Sequence, residues 1–263
     1  MAVDGSVRPA VPVPGYAGLV VLAVVLGAGF VVGPWVLAGA PGKFADEGAL
    51  RATARAGFEE YWRSGQREFT PELAAVVDFW FRFHVIKAVN AGLLLLVLLG
   101  LGVLLWQRFL RSGGVVTAAG GAAGIGCALF ALVLVLVNAQ GAVAPFAALF
   151  PMLTGSTLEP ARAPLAAGGP RPPGLAAMVA DFAAYHLAMA VAAGCVAAAT
   201  AALSGWLWRR CARIADRRTR LVLGAHGALT AVVAVAAIVL TVANATNAAD
   251  PEAGLLALLS GGW

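Results

Sequence analysis

Charge is what this chain has least of. Only 12% of its 263 residues are Asp, Glu, Lys or Arg, and just two are lysines, Lys43 and Lys87. A soluble domain must cover its surface with polar groups, so a chain that is 61% apolar with a mean hydropathy of +0.87 falls outside that class. No Asp, Glu, Lys or Arg lies in the central turns of any long apolar run. Ion-coupled carriers keep such residues at mid-depth, which makes a small channel or transporter the weaker reading. Of the three cysteines, Cys127 and Cys195 fall inside apolar runs and Cys211 sits beside an arginine cluster. None is placed for an extracytoplasmic disulfide. Apolar and polar residues do not alternate, which excludes the strands of a membrane β-barrel. No nucleophile, base and orienting acid gather at catalytic spacing, so the residues point away from an enzyme.

What the chain does have is five apolar runs, at residues 16–37, 79–106, 115–137, 178–208 and 221–243. Each reaches the ~20 residues of helix needed to cross a bilayer core of about 30 Å. The expected fold is all-α: an integral membrane helical bundle with five transmembrane helices, multi-pass in the cell membrane.

Four of the five runs look like two copies of one hairpin. At an offset of 102, His84 falls on His186, Leu105 on Leu207, Trp106 on Trp208, Arg108 on Arg210 and Arg111 on Arg213. At an offset of 106, Asn138-Ala139-x-x-Ala142-x-x-Pro145 recurs as Asn244-Ala245-x-x-Ala248-x-x-Pro251. The chain therefore divides into residues 1–40, an N-terminal tail and first span; 41–70, an extracytoplasmic loop with an amphipathic helix; 71–150, the first hairpin repeat; 151–174, a Pro/Gly-rich extracytoplasmic loop; and 175–263, the second hairpin repeat and tail.

Arginines set the orientation. Arg108 and Arg111 follow the second run, and Arg209, Arg210, Arg213, Arg217, Arg218 and Arg220 follow the fourth, against a single Asp216. Short basic loops stay in the cytoplasm, which puts the N-terminus inside and the C-terminus outside. The net charge of +5 and pI of 9.6 then reflect topology and contact with anionic lipid, not a nucleic-acid partner. Membrane lipids are the expected partners, with a partner membrane subunit or a homo-oligomer beside them. Ala38-Gly39-Ala40 has the form of a signal-peptidase site, but the long apolar run, the following Pro41 and the lone Arg8 before it favour an uncleaved anchor.

Between the runs, residues 45–64 place Leu50, Ala54, Phe58 and Tyr61 on one helical face and Arg51, Arg55, Glu59, Glu60 and Arg63 mostly elsewhere, with Gly65 as a stop. Such a segment caps its own bundle or lies on the outer membrane surface. Thr70-Pro71-Glu72 supplies a capping residue, a first-turn proline and a dipole-matched acid for the next helix. The loop with Pro160, Pro164, Pro170, Pro172, Pro173, Gly168 and Gly169 shows no buried-element pattern, and a flexible or extended connector is expected there.

Depth selects the candidate site. Counting about 20 residues back from Trp106 and Trp208 puts His84 and His186 at the outer boundary, and counting forward from residues 115 and 221 puts Asn138 and Asn244 at the same level. Gln140, Lys87, Asn90 and Tyr185 lie close by in sequence. This layer is the candidate ligand-binding site, for a lipid, a small amphiphile or a partner subunit, with no catalytic residue and no metal in it. No cofactor is expected; the alternative is one b-type haem between His84 and His186, in a membrane redox protein. Asp78 and Asp181 stand six and five residues before the histidines, off the His face of a regular helix, and read as helix-end caps.

The Ala, Gly, Val and Arg excess, the repeated Asn-Ala-x-x-Ala-x-x-Pro and the terminal Leu-Ser-Gly-Gly-Trp263 give a chain that resembles uncharacterised multi-pass membrane proteins of high-GC Gram-positive bacteria. That resemblance covers most of the chain and implies no activity.

Overall fold

The computed structural model describes residues 13–39, 44, 46–153, 155 and 157–262; Arg8, Ala40, Pro41, Lys43 and Trp263 lie outside them. The chain is all-helical, at 87% helix, with no strand among the described residues. Its helices are α1 (Val13–Leu37), α2 (Glu47–Ser64), α3 (Pro71–Ser112), α4 (Val115–Val143), a 3-10 turn (Ala147–Leu149), α5 (Phe150–Leu153), α6 (Glu159–Ala167), α7 (Pro173–Cys211), α8 (Arg217–Ala249) and α9 (Pro251–Leu259). Five of them, α1, α3, α4, α7 and α8, are long and apolar enough to cross a membrane.

Those five sit side by side. α1 packs on α3, α3 on α4, α4 on α7, and α7 on α8. At the arginine-rich end the row folds back on itself, because His226 of α8 meets Trp106 of α3 edge-on at 4.8 Å and Arg218 lies 5.6 Å above the Phe109 ring. Two sharp turns reverse the chain there. Gly113 and Gly114 join α3 to α4 with φ of 72° and 102°, a backbone region open to glycine at little cost. Between α7 and α8, Asp216 caps α8 by accepting from the Thr219 amide at 2.8 Å. Two indoles seat on glycines near this end: Trp106 on Gly121 and Trp208 on Gly227, each so close that a Cβ would fall within about 3 Å of the ring.

At the opposite end, α3 and α7 overrun any bilayer. At 1.5 Å per residue, the 42 residues of α3 span ~63 Å and the 39 of α7 ~58 Å, about twice the hydrocarbon thickness. Their projecting first turns, together with α2, the 3-10 turn, α5, α6 and α9, build a cap, and the main apolar core lies inside it. The location follows from the solvent. Apolar helices gain little by leaving lipid for each other, whereas cap side chains leave water and gain ~1.5–3 kcal/mol for each fully buried Leu or Phe. Only 6% of the α1 apolar window is buried, against complete burial of Leu50, Ala54, Phe58 and Tyr61 on α2.

α2 takes the face that its periodicity expects. It begins at Asp46, which accepts from the Ala49 amide at 2.8 Å, and stops at Gly65 in the left-handed region. Tyr61 and Phe69 pack on Phe146, with ring centroids 5.9 and 4.8 Å away, and Phe150 follows at 5.1 Å. α3 starts at Pro71 as expected, but Thr70 makes no side-chain cap, and its hydroxyl is buried without a hydrogen-bond partner.

The Pro/Gly-rich segment corrects an expectation. Instead of a flexible or extended connector, residues after Leu149 form α5 and α6, and Leu149, Phe150, Leu153, Leu158, Ala161 and Leu165 are buried in the cap core. Pro160 occupies the first turn of α6, where its missing N–H is no loss, and Leu158, Ala161 and Leu165 follow a helical spacing. Pro160 thus starts a helix, and Pro164 is accommodated inside it. α9 closes the cap: Leu255 is fully buried in the same core, and Arg171, before α7, pairs with Glu252.

Candidate functional site

Six of the eight candidate residues lie in one layer just beneath the cap, and the layer runs through four helices. On α3, the His84 ring packs against α4 at Gly141; a Cβ there would stand 2.3 Å from Cδ2 and 2.5 Å from Nε2. From α4, the buried Gln140 amide donates to the Tyr185 carbonyl on α7 at 3.2 Å. From α7, His186 is joined to Asn244 on α8, Nδ1 to Oδ1, at 2.8 Å. So α3, α4, α7 and α8 are linked in turn at one level.

Hydrogen-bond roles follow from what each partner can do. Asn244 spends its Nδ2–H on the Leu240 carbonyl at 2.8 Å, so its Oδ1 accepts and His186 carries its proton on Nδ1. The His84 Nδ1 lies 2.8 Å from the Trp80 carbonyl, which can only accept, so His84 is the same tautomer. Asn138 is buried and donates to the Leu134 carbonyl at 2.7 Å, the counterpart of the Asn244 bond. No hydrogen bond joins His84 to Asn138 among the described residues; the ring is held by Trp80 and Gly141 instead. Rings surround both imidazoles: Trp80 edge-on to His84 at 4.7 Å, and Phe182 edge-on to His186 at 4.4 Å.

Lys87 and Asn90 face elsewhere. The Lys87 ammonium lies 4.5 Å from the centre of the Phe30 ring on α1 and 5.1 Å from that of Phe83. The Asn90 amide presses against Gly29 of α1, where a Cβ would stand 2.8 Å from Nδ2, and its Oδ1 is buried without a partner. These two residues line the α1–α3 contact and not the four-helix layer.

A residue beside the candidates has a role as well. Asp181 of α7 accepts from the Ala147 amide at 2.7 Å and from Phe146, so its carboxylate caps the start of the 3-10 turn and ties the cap to α7. Asp78 instead pairs with Arg82 one turn on, an exposed pair of little energetic weight. Gly141 was not visible as a site residue in the sequence; the only signal is its position three residues after Asn138.

Nδ1 of His84 is given to Trp80 and Nδ1 of His186 to Asn244, so Nε2 is on each ring the atom left for a metal, and the Nε2 edge of His84 packs against α4 at Gly141. His186 turns its Nδ1 to α8, while α4 packs against both α3 and α7. No group of three or more His, Cys, Asp or Glu is placed to hold a metal ion among the described residues. Chemically, the layer offers hydrogen-bond donors and acceptors in a ring-lined setting. No family model matches the chain, and no curated protein or solved structure is significantly similar to it.

Proposed function

We propose that this is a non-enzymatic, multi-pass protein of the cell membrane that binds a lipid, a small amphiphile or a partner subunit at the polar layer beneath its cap. One observation carries the reading: the run of polar contacts from Gln140 to Tyr185 and from His186 to Asn244, level with His84 on Gly141. Apolar helices pack adequately in lipid through small residues, so a polar layer across four helices exceeds what packing needs. Its place under a folded apolar cap gives an amphiphile an apolar body and a polar end to meet.

In this reading α3–α4 and α7–α8 are a duplicated hairpin. The Trp106–Gly121 and Trp208–Gly227 seats support it, since the tryptophans are 102 apart and the glycines 106, the two offsets of the sequence repeat. So do the Asn138 and Asn244 amides, each donating to the carbonyl four residues back. The arginine-rich turns lie in the cytoplasm and the cap outside.

Native mass spectrometry of detergent-extracted protein tests the binding. Wild type is expected to retain a non-covalent adduct, lipid, amphiphile or subunit, that His186→Ala and Asn244→Ala reduce without unfolding the protein. Identical adducts in wild type and both variants would remove the proposal.

A further inference from the structure

Lys87 is a cation without an anion. The other charged side chains on α3 are Glu72, Asp78, Arg82, Arg108 and Arg111, and the nearest acid along the helix, Asp78, is paired with Arg82. No carboxylate pairs with Lys87 among the described residues. Its ammonium has three N–H donors and two ring faces beside it, from Phe30 and Phe83, which supply attraction but no acceptor oxygen. The side chain is half-buried, so part of it is open.

Depth says what the open side meets. Lys87 precedes Trp106 by nineteen residues, ~28 Å along the helix at 1.5 Å each, close to the full thickness of a hydrocarbon core. With Trp106 at one interface, the ammonium stands at the level of the opposite headgroups. Below it, toward Trp106, the same face of α3 carries Leu94 and Leu98, packed with Ala23 of α1. The α1–α3 contact is therefore closed beneath the lysine, and its open side is at the headgroup level, where phosphate oxygens are the acceptors. α1 makes the place specific. Gly29 against Asn90 and Gly33 near Ile86 bring α1 close, and Phe30 then reaches over the lysine.

We infer that Lys87, with Phe30 and Phe83, binds the phosphate of one anionic phospholipid in the groove between α1 and α3. This site lies on the α1 side of α3, apart from the four-helix layer, and goes beyond the reading of that layer. A charge-assisted hydrogen bond from the ammonium to a phosphate oxygen holds the headgroup at the mouth of the α1–α3 contact.

The test uses the full chain in nanodiscs of phosphatidylcholine containing a minor fraction of phosphatidylglycerol, with lipids that remain on the protein counted by native mass spectrometry. Wild type should retain phosphatidylglycerol about tenfold more than its share. Lys87→Met should abolish that preference, Lys87→Arg should keep it, and Arg213→Gln with Arg217→Gln, at the other end, should leave the Lys87-dependent lipid in place. Unchanged preference in Lys87→Met, or no preference in wild type, overturns the inference. So does displacement by excess glycerol 3-phosphate, which would make a soluble phosphate ester the ligand. If His186→Ala removes an adduct while Lys87→Met removes nothing, the layer stands and this site fails. If Lys87→Met removes the lipid while the His186 and Asn244 variants change nothing, the groove stands and the four-helix layer fails.

Discussion

At the scale of single residues, the contact between His84 and Gly141 is the tightest in the candidate layer. A methyl at position 141 would sit 2.3 Å from the imidazole, inside any allowed approach, so Gly141→Ala must push the ring off α4 or push the helices apart. Overpacking of this kind costs roughly 1–3 kcal/mol. Thermal unfolding in detergent should show that loss, and the double variant Gly141→Ala/His84→Ala should recover most of it; independent, additive effects would refute the contact. Counting residues along the apolar runs made the level of these groups legible, because depth depends only on rise per residue. Rotation was not legible. The helices are apolar nearly all round, so nothing in their pattern says that Lys87 and Asn90 turn to α1 while His84, three and six residues earlier, turns to α4.

At the scale of elements, α2 and α6 make the contrast. α2 could be read directly, since a strongly charged back face set off Leu50, Ala54, Phe58 and Tyr61 as a stripe, and all four are buried. α6 could not, because a nine-residue helix with Pro160 and Pro164 has few positions to show a period, and its Leu158, Ala161 and Leu165 complete a core supplied mainly by other elements. Burial also leaves a titration signature in α2. The Tyr61 phenol donates to the Arg67 carbonyl at 3.1 Å, and desolvation, helped by Glu68, raises its pKa above the ordinary 10.0. A raised pKa means that the folded state holds the proton more tightly. Its contribution is therefore whole below pH 10 and is lost as pH climbs through the folded-state value. Cap stability should fall in alkali above about pH 10, and Tyr61→Phe should flatten that fall while lowering stability at neutral pH by about 1 kcal/mol, the worth of one hydrogen bond. Near-ultraviolet circular dichroism against pH would follow both; an unchanged alkaline slope in Tyr61→Phe would assign the effect to another group.

At the scale of the whole molecule, two solvents divide the labour. Helices α1, α3, α4, α7 and α8 expose valine and leucine, whereas α2, α5, α6 and α9 enclose theirs. The proposed orientation makes a direct prediction for labelling in intact cells. In a chain with Cys127, Cys195 and Cys211 replaced by alanine, Gln66→Cys should react with an impermeant maleimide, and Ser112→Cys only after the cells are broken; the reverse pattern would invert the topology. The cap also draws on stretches far apart in the chain, from Leu50 near one end to Leu255 near the other. During synthesis, the Phe182 ring of α7 must therefore wait with one side unshielded until α8 has been threaded and Gly254 of α9 delivered against it. A nascent chain stalled before that point would present sticky aromatic surface at the membrane face, so quality-control proteases and chaperones working there would recognise incomplete molecules by this unfinished seam.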